Sequence, residues 1–177
     1  KSTETIYDAM KQRFGADNVS CASTNKFEDP KNTDAAKLTK MAADADVIVL
    51  CLGEKAYAES PGVINDLTLD QEQLELAEAA IATGKTVIYV LVQGRPRVIN
   101  SIEAGAKGIL QAYRPSSRGA DAIVSILSGD FNPSGKLPFT YHRNTGDIVL
   151  YDHKFAETFT ELAPGEIGGS GFNPQWQ

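Results

Sequence analysis

The chain has 177 residues, of which 42% are hydrophobic and 23% charged, and a net charge of −6. This is the make-up of one folded domain with a core of its own, too short for two comfortable ones. The acidic balance, uncompensated by any Lys/Arg cluster, argues against a nucleic-acid surface, and no apolar run approaches the about 20 residues of a membrane span.

The opening Lys1-Ser2-Thr3 shows neither an initiator Met nor the apolar stretch of a signal peptide, which suggests a processed or excised piece. Residues 3–14 read as a helix, with Ile6, Met10 and Phe14 every fourth position, Tyr7 on the same stripe and Gly15 as the stop. A short strand is expected at 18–22, a loop at 25–33 around Asp29-Pro30, and a helix at 34–45 from its Ala/Lys/Met content. The six apolar residues at 47–52 have the length of a strand buried on both faces. The next helix is marked by a capping box, either Thr68 with Gln71 or Asp70 with Gln73. Its inner face is Leu74, Ala77 and Ile81 with Leu76 and Ala80, and Gly84 ends it. A second buried strand is expected at 86–92, and Gln93-Gly94-Arg95-Pro96 turns the chain into a short helix at 98–104. A third strand is expected at 108–113, a loop at 114–119 and a helix at 120–127.

Strand and helix alternating at this spacing predict βαβ units with right-handed crossovers. The fold class is therefore α/β, a three-layer α/β/α sandwich with a mainly parallel sheet and an extended C-terminal arm. Residues 1–177 are expected to form a single, incomplete domain, with 1–128 as the α/β core and 129–177 as a loop-rich arm.

Several chemistries fail on spacing. Cys21 and Cys51 read as buried free thiols, and with His142 and His153 they give no metal-ligand spacing, so neither metal nor cofactor is assigned. The segment from Gly129 to Lys136 superficially resembles a P-loop. It has five residues rather than four between its glycines, Leu137 where Ser or Thr must stand, and a helix rather than a strand before it. No Gly-x-Ser-x-Gly elbow is present.

What remains is the loop Gly53-Glu54-Lys55-Ala56-Tyr57-Ala58-Glu59-Ser60-Pro61-Gly62. It leaves the carboxyl end of a central strand, where open α/β sheets place their ligands. Glu54 and Glu59 give it acid–base capacity. Glu54 directly succeeds the strand and has two readings, a substrate contact or an acceptor of backbone N–H bonds that orients the loop. Tyr57 is a packing residue or a sugar-stacking, hydrogen-bonding wall. Glu59 stands beside Ser60-Pro61-Gly62, whose restricted dihedrals would hold it in place. Ile64 and Leu67 are expected to anchor the remainder of the connection, 63–67.

Four ordered stretches resemble the second, α/β-sandwich domain of family-3 glycoside hydrolases, the β-glucosidases and exo-glucanases. They are Ala45-Asp46-Val47 through Gly53-Glu54 with Tyr57-x-Glu59; the helix start at 69–73; Gly94-Arg95-Pro96; and Gly129-Asp130-x-Asn132-Pro133-Ser134-Gly135-Lys136-Leu137-Pro138. The likeness runs from about residue 5 to residue 177. It implies a retaining hydrolase in which an N-terminal (β/α)8 barrel carries an Asp nucleophile and this domain lends the general acid/base, Glu59. Tyr57 and Glu54 are then substrate-binding, and the substrate is a β-glucoside or oligosaccharide. The resemblance further implies a secreted or periplasmic enzyme, and a chain without its barrel that does not turn over glycosides alone. Arg95 and Lys136 are expected to be interdomain partners. Two alternatives belong to other classes: a non-catalytic carbohydrate-binding module of the same fold, and a flavodoxin-like binding domain.

Overall fold

The computed structural model describes residues 4–22, 35–58 and 62–145. The expected loop at 25–33, most of the C-terminal arm and Glu59 itself lie outside the described residues.

The first helix, α1 (Ile6–Phe14), starts where its cap predicts. Thr5 Oγ1 accepts the Asp8 N–H at 3.1 Å while the Asp8 carboxylate accepts the Thr5 N–H, satisfying two N–H groups that the helix itself leaves unpaired. Gly15, at φ 91°, turns the chain away. One 3-10 turn comes next at Ala16–Asn18, and the strand expected at 18–22 does not form. A strand exists by its ladder, and β1 pairs only with β2 among the described residues, leaving this stretch no partner.

The sheet has three parallel strands in the order β1 (Val47–Gly53), β2 (Thr86–Val92), β3 (Gly108–Gln111). Helix α2 (Ala35–Ala42) precedes β1, α3 (Gln71–Ala82) crosses from β1 to β2, and α4 (Gly119–Leu127) comes after β3. The α/β class and the parallel pairing are as expected. Alternation along the strands decides the core: Ile48, Leu50 and Leu52 of β1 and Val87, Tyr89 and Leu91 of β2 point into one cluster with Leu38, Ala42, Ala77 and Ala80 of α2 and α3. Burying each of the larger side chains contributes about 1.5–3 kcal/mol. The Tyr89 hydroxyl avoids the cost of an unpaired buried donor by bonding the Ile102 carbonyl at 3.0 Å. Helices α1 and α4 pack on each other in a second, smaller cluster of Ala9, Ala120 and Val124 with Ile6 and Met10. Cys51 falls on the odd face of β1 and is exposed, not buried as expected.

Two further expectations are corrected. No α-helix forms over 98–104. Val98 instead donates its N–H to the Leu67 carbonyl at 2.8 Å and bridges Thr68, which leaves room only for a turn and the 3-10 segment Glu103–Gly105. Close approach to α3 fixes this turn, since a Cβ on Gly105 would fall 2.4 Å from the Ile81 side chain. The third strand also stops at Gln111, two residues early, because the chain swings away at Tyr113, whose φ is +55°.

Candidate active site at the carboxyl ends of the strands

Where β1 ends, the backbone is pressed against β2. Gly53 sits at φ 148°, and a Cβ there would lie 2.0 Å from the Val92 carbonyl oxygen. Both polar backbone groups of Gly53 are taken by one side chain: Gln73 Oε1 accepts its N–H at 2.8 Å, and Gln73 Nε2 donates to its carbonyl at 2.9 Å. This corrects the capping-box reading. Asp70 is the N-cap of α3 without a side-chain cap bond, and Gln73 is used to clamp the strand end instead.

Glu54 comes next, with its side chain only 5% exposed. Its Oε2 accepts the N–H groups of Gly94 at 3.0 Å and Arg95 at 3.1 Å; its Oε1 accepts Arg95 Nε at 2.8 Å, with Arg97 Nη1 at 3.5 Å. Burial alone would raise the carboxyl pKa, but the bonds from Arg95 and Gly94 outweigh it and hold the pKa below the ordinary value. Glu54 is therefore a charged staple between the β1 and β2 loops. Arg95, expected to reach another domain, is spent within this one, and its guanidinium also donates to the Gly62 carbonyl. Arg97 donates to the Thr68 carbonyl, tying the same staple to the approach of α3.

The Tyr57 ring lies between two cations. The guanidinium carbons of Arg95 and Arg114 stand 3.9 Å and 4.0 Å from its centroid. Two planar groups cannot share one ring face at that spacing, so each takes one face. What Tyr57 leaves open to a ligand is its edge and hydroxyl. Farther along, Asp66 accepts the Thr68 N–H at 2.7 Å and the Thr145 hydroxyl at 2.9 Å, and these bonds pull its pKa down to about 2. Ile64 does not anchor this part of the loop: it is 37% exposed, and the buried residue is Leu69.

The loop is thus pinned on either side of the catalytic candidate. Glu54 and Tyr57 are fixed before it, and Gly62, packed on the Tyr57 ring and bonded to Arg95, is fixed after it. Residues 1–169 match the sequence model of the glycosyl hydrolase family 3 C-terminal domain. The chain belongs to that family. It is 41% identical over 127 residues to a lysosomal β-glucosidase of Dictyostelium discoideum and 36% identical over 126 residues to a periplasmic β-glucosidase of Salmonella typhimurium, covering 71% and 70% of this chain. It spans 16% of the length of each of these relatives. Among solved structures, a β-glucosidase of Erythrobacter marinus shares 47% identity at TM-score 0.58, over 63% of this chain and 16% of its own. A Listeria innocua β-glucosidase mutant bound to laminaribiose aligns at TM-score 0.70 with 27% identity, over 80% of this chain and 19% of its own.

Three residues of the site carry no assignment in the sequence reading: Gln73 as a strand clamp, Arg97 and Arg114. Arg114 has a usable signal, as a cation just past the carboxyl end of a parallel strand, where loop residues face the crevice. Gln73 has none, because its sequence context fits a helix cap equally well.

Proposed function

We propose that this domain supplies Glu59 as the general acid/base of a retaining glycoside hydrolase that cleaves β-glucosides or oligosaccharides. The nucleophile is an Asp on an N-terminal (β/α)8 barrel of the same enzyme. The reading rests on family membership and on one structural observation: the chain immediately before and after the segment holding Glu59 is tied down at the carboxyl end of the sheet. A proton donor must be held within hydrogen-bonding distance, about 2.6–3.2 Å, of the leaving oxygen, and such pinning is what that requires.

In this mechanism Glu59 protonates the departing glycosidic oxygen while the barrel carboxylate attacks the anomeric carbon. The glycosyl-enzyme then forms, and Glu59, now ionised, takes a proton from the water that releases the sugar. Such carboxyl pairs stand about 5–5.5 Å apart, and the nucleophile's charge together with burial by bound sugar raises the pKa of the acid. Glu54, with its oxygens occupied, and Tyr57, with both faces covered, serve the substrate by shaping the loop. A secreted or periplasmic location accords with the periplasmic relative; no described helix is long and apolar enough to cross a membrane.

The test is Glu59→Ala in the enzyme that joins this domain to its barrel. Turnover of alkyl β-glucosides should fall by roughly 100- to 10,000-fold. Glucosides with dinitrophenol leaving groups should be largely spared in the first step, and azide should accelerate release by replacing the base-assisted water. Unchanged rates on every substrate would reject the assignment and leave the non-catalytic carbohydrate-binding reading.

A further inference from the structure

We infer that Arg114 is a positioning residue for catalysis: its guanidinium closes the second face of Tyr57 and thereby fixes the loop that continues to Glu59. The inference rests on the acid/base assignment above. The two plates of the stack are not equivalent. Arg95 is held by Glu54 and by the Gly62 carbonyl, so its position is set without the tyrosine. Arg114 is exposed and makes no hydrogen bond or ion pair among the described residues; the ring is its partner. Among the described residues, Tyr57 thus lies between a plate fixed by its own bonds and one whose contact is the ring itself.

Three details indicate that the fold is shaped around this contact. Tyr113, just before Arg114, is the sole non-glycine with positive φ among the described residues. An aromatic residue adopts that conformation only when its surroundings impose it, and here it redirects the chain leaving β3. Gly94 borders the stack, since a Cβ there would sit 2.7 Å from Tyr57 Oη and 2.8 Å from Arg114 Nε. Gly62 borders it too, with a Cβ position 2.6 Å from Tyr57 Cδ2. The stack joins the loops after β1, β2 and β3 through one ring, two residues before the proposed acid/base.

A guanidinium stacks as a plane and an ammonium does not, so lysine is a poor substitute. Arg114→Ala, Arg114→Lys and Gly94→Ala should be compared with Glu59→Ala in the enzyme joined to its barrel, each on an alkyl β-glucoside and a dinitrophenyl β-glucoside. Misplacing the acid should lower kcat on the alkyl glucoside roughly tenfold to a hundredfold with KM little changed. The activated substrate, which needs little protonation, should lose much less. Arg114→Lys should resemble Arg114→Ala, and Gly94→Ala, which displaces the ring without touching the cation's identity, should show the same leaving-group dependence. Equal losses on both substrates, or none, in the Arg114 variants while Glu59→Ala retains its leaving-group dependence would overturn the positioning role alone. Loss of that dependence in Glu59→Ala would overturn the acid/base assignment, and the positioning role with it.

Discussion

Two arginine–carboxylate pairs close at the same 2.8 Å in unlike surroundings, and the exposed one is the bidentate one. Arg95–Glu54 sits at the carboxyl end of the sheet, where the glutamate is 5% exposed and also accepts two backbone N–H groups. Arg13–Asp130 ties α1 to the end of α4 with side chains 45% and 50% exposed. Water competes freely for the second pair and much less for the first, where only the arginine is partly open. Equal distances therefore conceal unequal consequences: breaking the buried pair strands a charge and its donors, whereas breaking the surface pair merely hydrates them.

The sharpest way to test this contrast is to remove the shared acceptor. Glu54→Ala leaves Arg95, Arg97 and two backbone N–H groups without their partner, and should cost about 3–5 kcal/mol in denaturant unfolding. Glu54→Gln keeps an acceptor and should cost less; if the two cost the same, the charge is what holds the loops together. A smaller effect is expected from Gln73→Ala, which abandons both polar groups of Gly53 at the part-buried strand end. A loss of about 1–3 kcal/mol is anticipated, with faster amide exchange at Gly53 and no change at α4.

The smallest effect belongs to the surface pair. Arg13→Ala should leave the unfolding midpoint unmoved within error in about 1 M salt, and nearly so at low salt. Its pH behaviour has a definite sign. The hydrogen bond from Arg13, then that from Ser128, lowers the Asp130 pKa from 3.8 to about 2. Its contribution is therefore complete above about pH 4 and fades as pH falls toward about 2. The depressed Glu54 acts in the same direction, being lost only as pH drops through its folded-state value. In an acid titration, Asp130→Asn should accordingly lack the small part of the acid-induced loss between about pH 4 and 2 that Asp130 contributes, and Glu54→Gln the larger part that Glu54 contributes.

The strands are the most legible part of the chain because each is written as an uninterrupted apolar run: the run at 86–92 is β2 to the residue, and β1 exceeds its apolar run by Gly53 alone. The run of β1 predicts burial on both faces, yet its odd face leaves Val47 and Cys51 exposed. Helix caps are legible only where local chemistry has no competitor. Thr5 with Asp8 forms a reciprocal box, whereas Gln73, in an equally plausible sequence, is drawn off to Gly53 twenty residues away. The segment 98–104 has helical spacing of Ile99 and Ile102, yet the bridge from Val98 to Thr68 outranks it. Of the site, Glu54 and Tyr57 stand out in the sequence as parts of an unusual loop. What they do is hidden there, since it depends on Arg97 and Arg114, contributed by the loops after strands that only the folded sheet brings side by side.

The meeting of Gly53 with Val92 also bears on how the sheet finds its alignment. If β1 slid by one residue along β2, the spot beside the Val92 oxygen would have to admit Leu52 or Glu54, and the inward and outward side chains of the whole strand would exchange places. A single hydrogen atom in place of a side chain thus selects the register, because a slip that brings any other residue of the strand to this spot sets a side chain against the Val92 carbonyl.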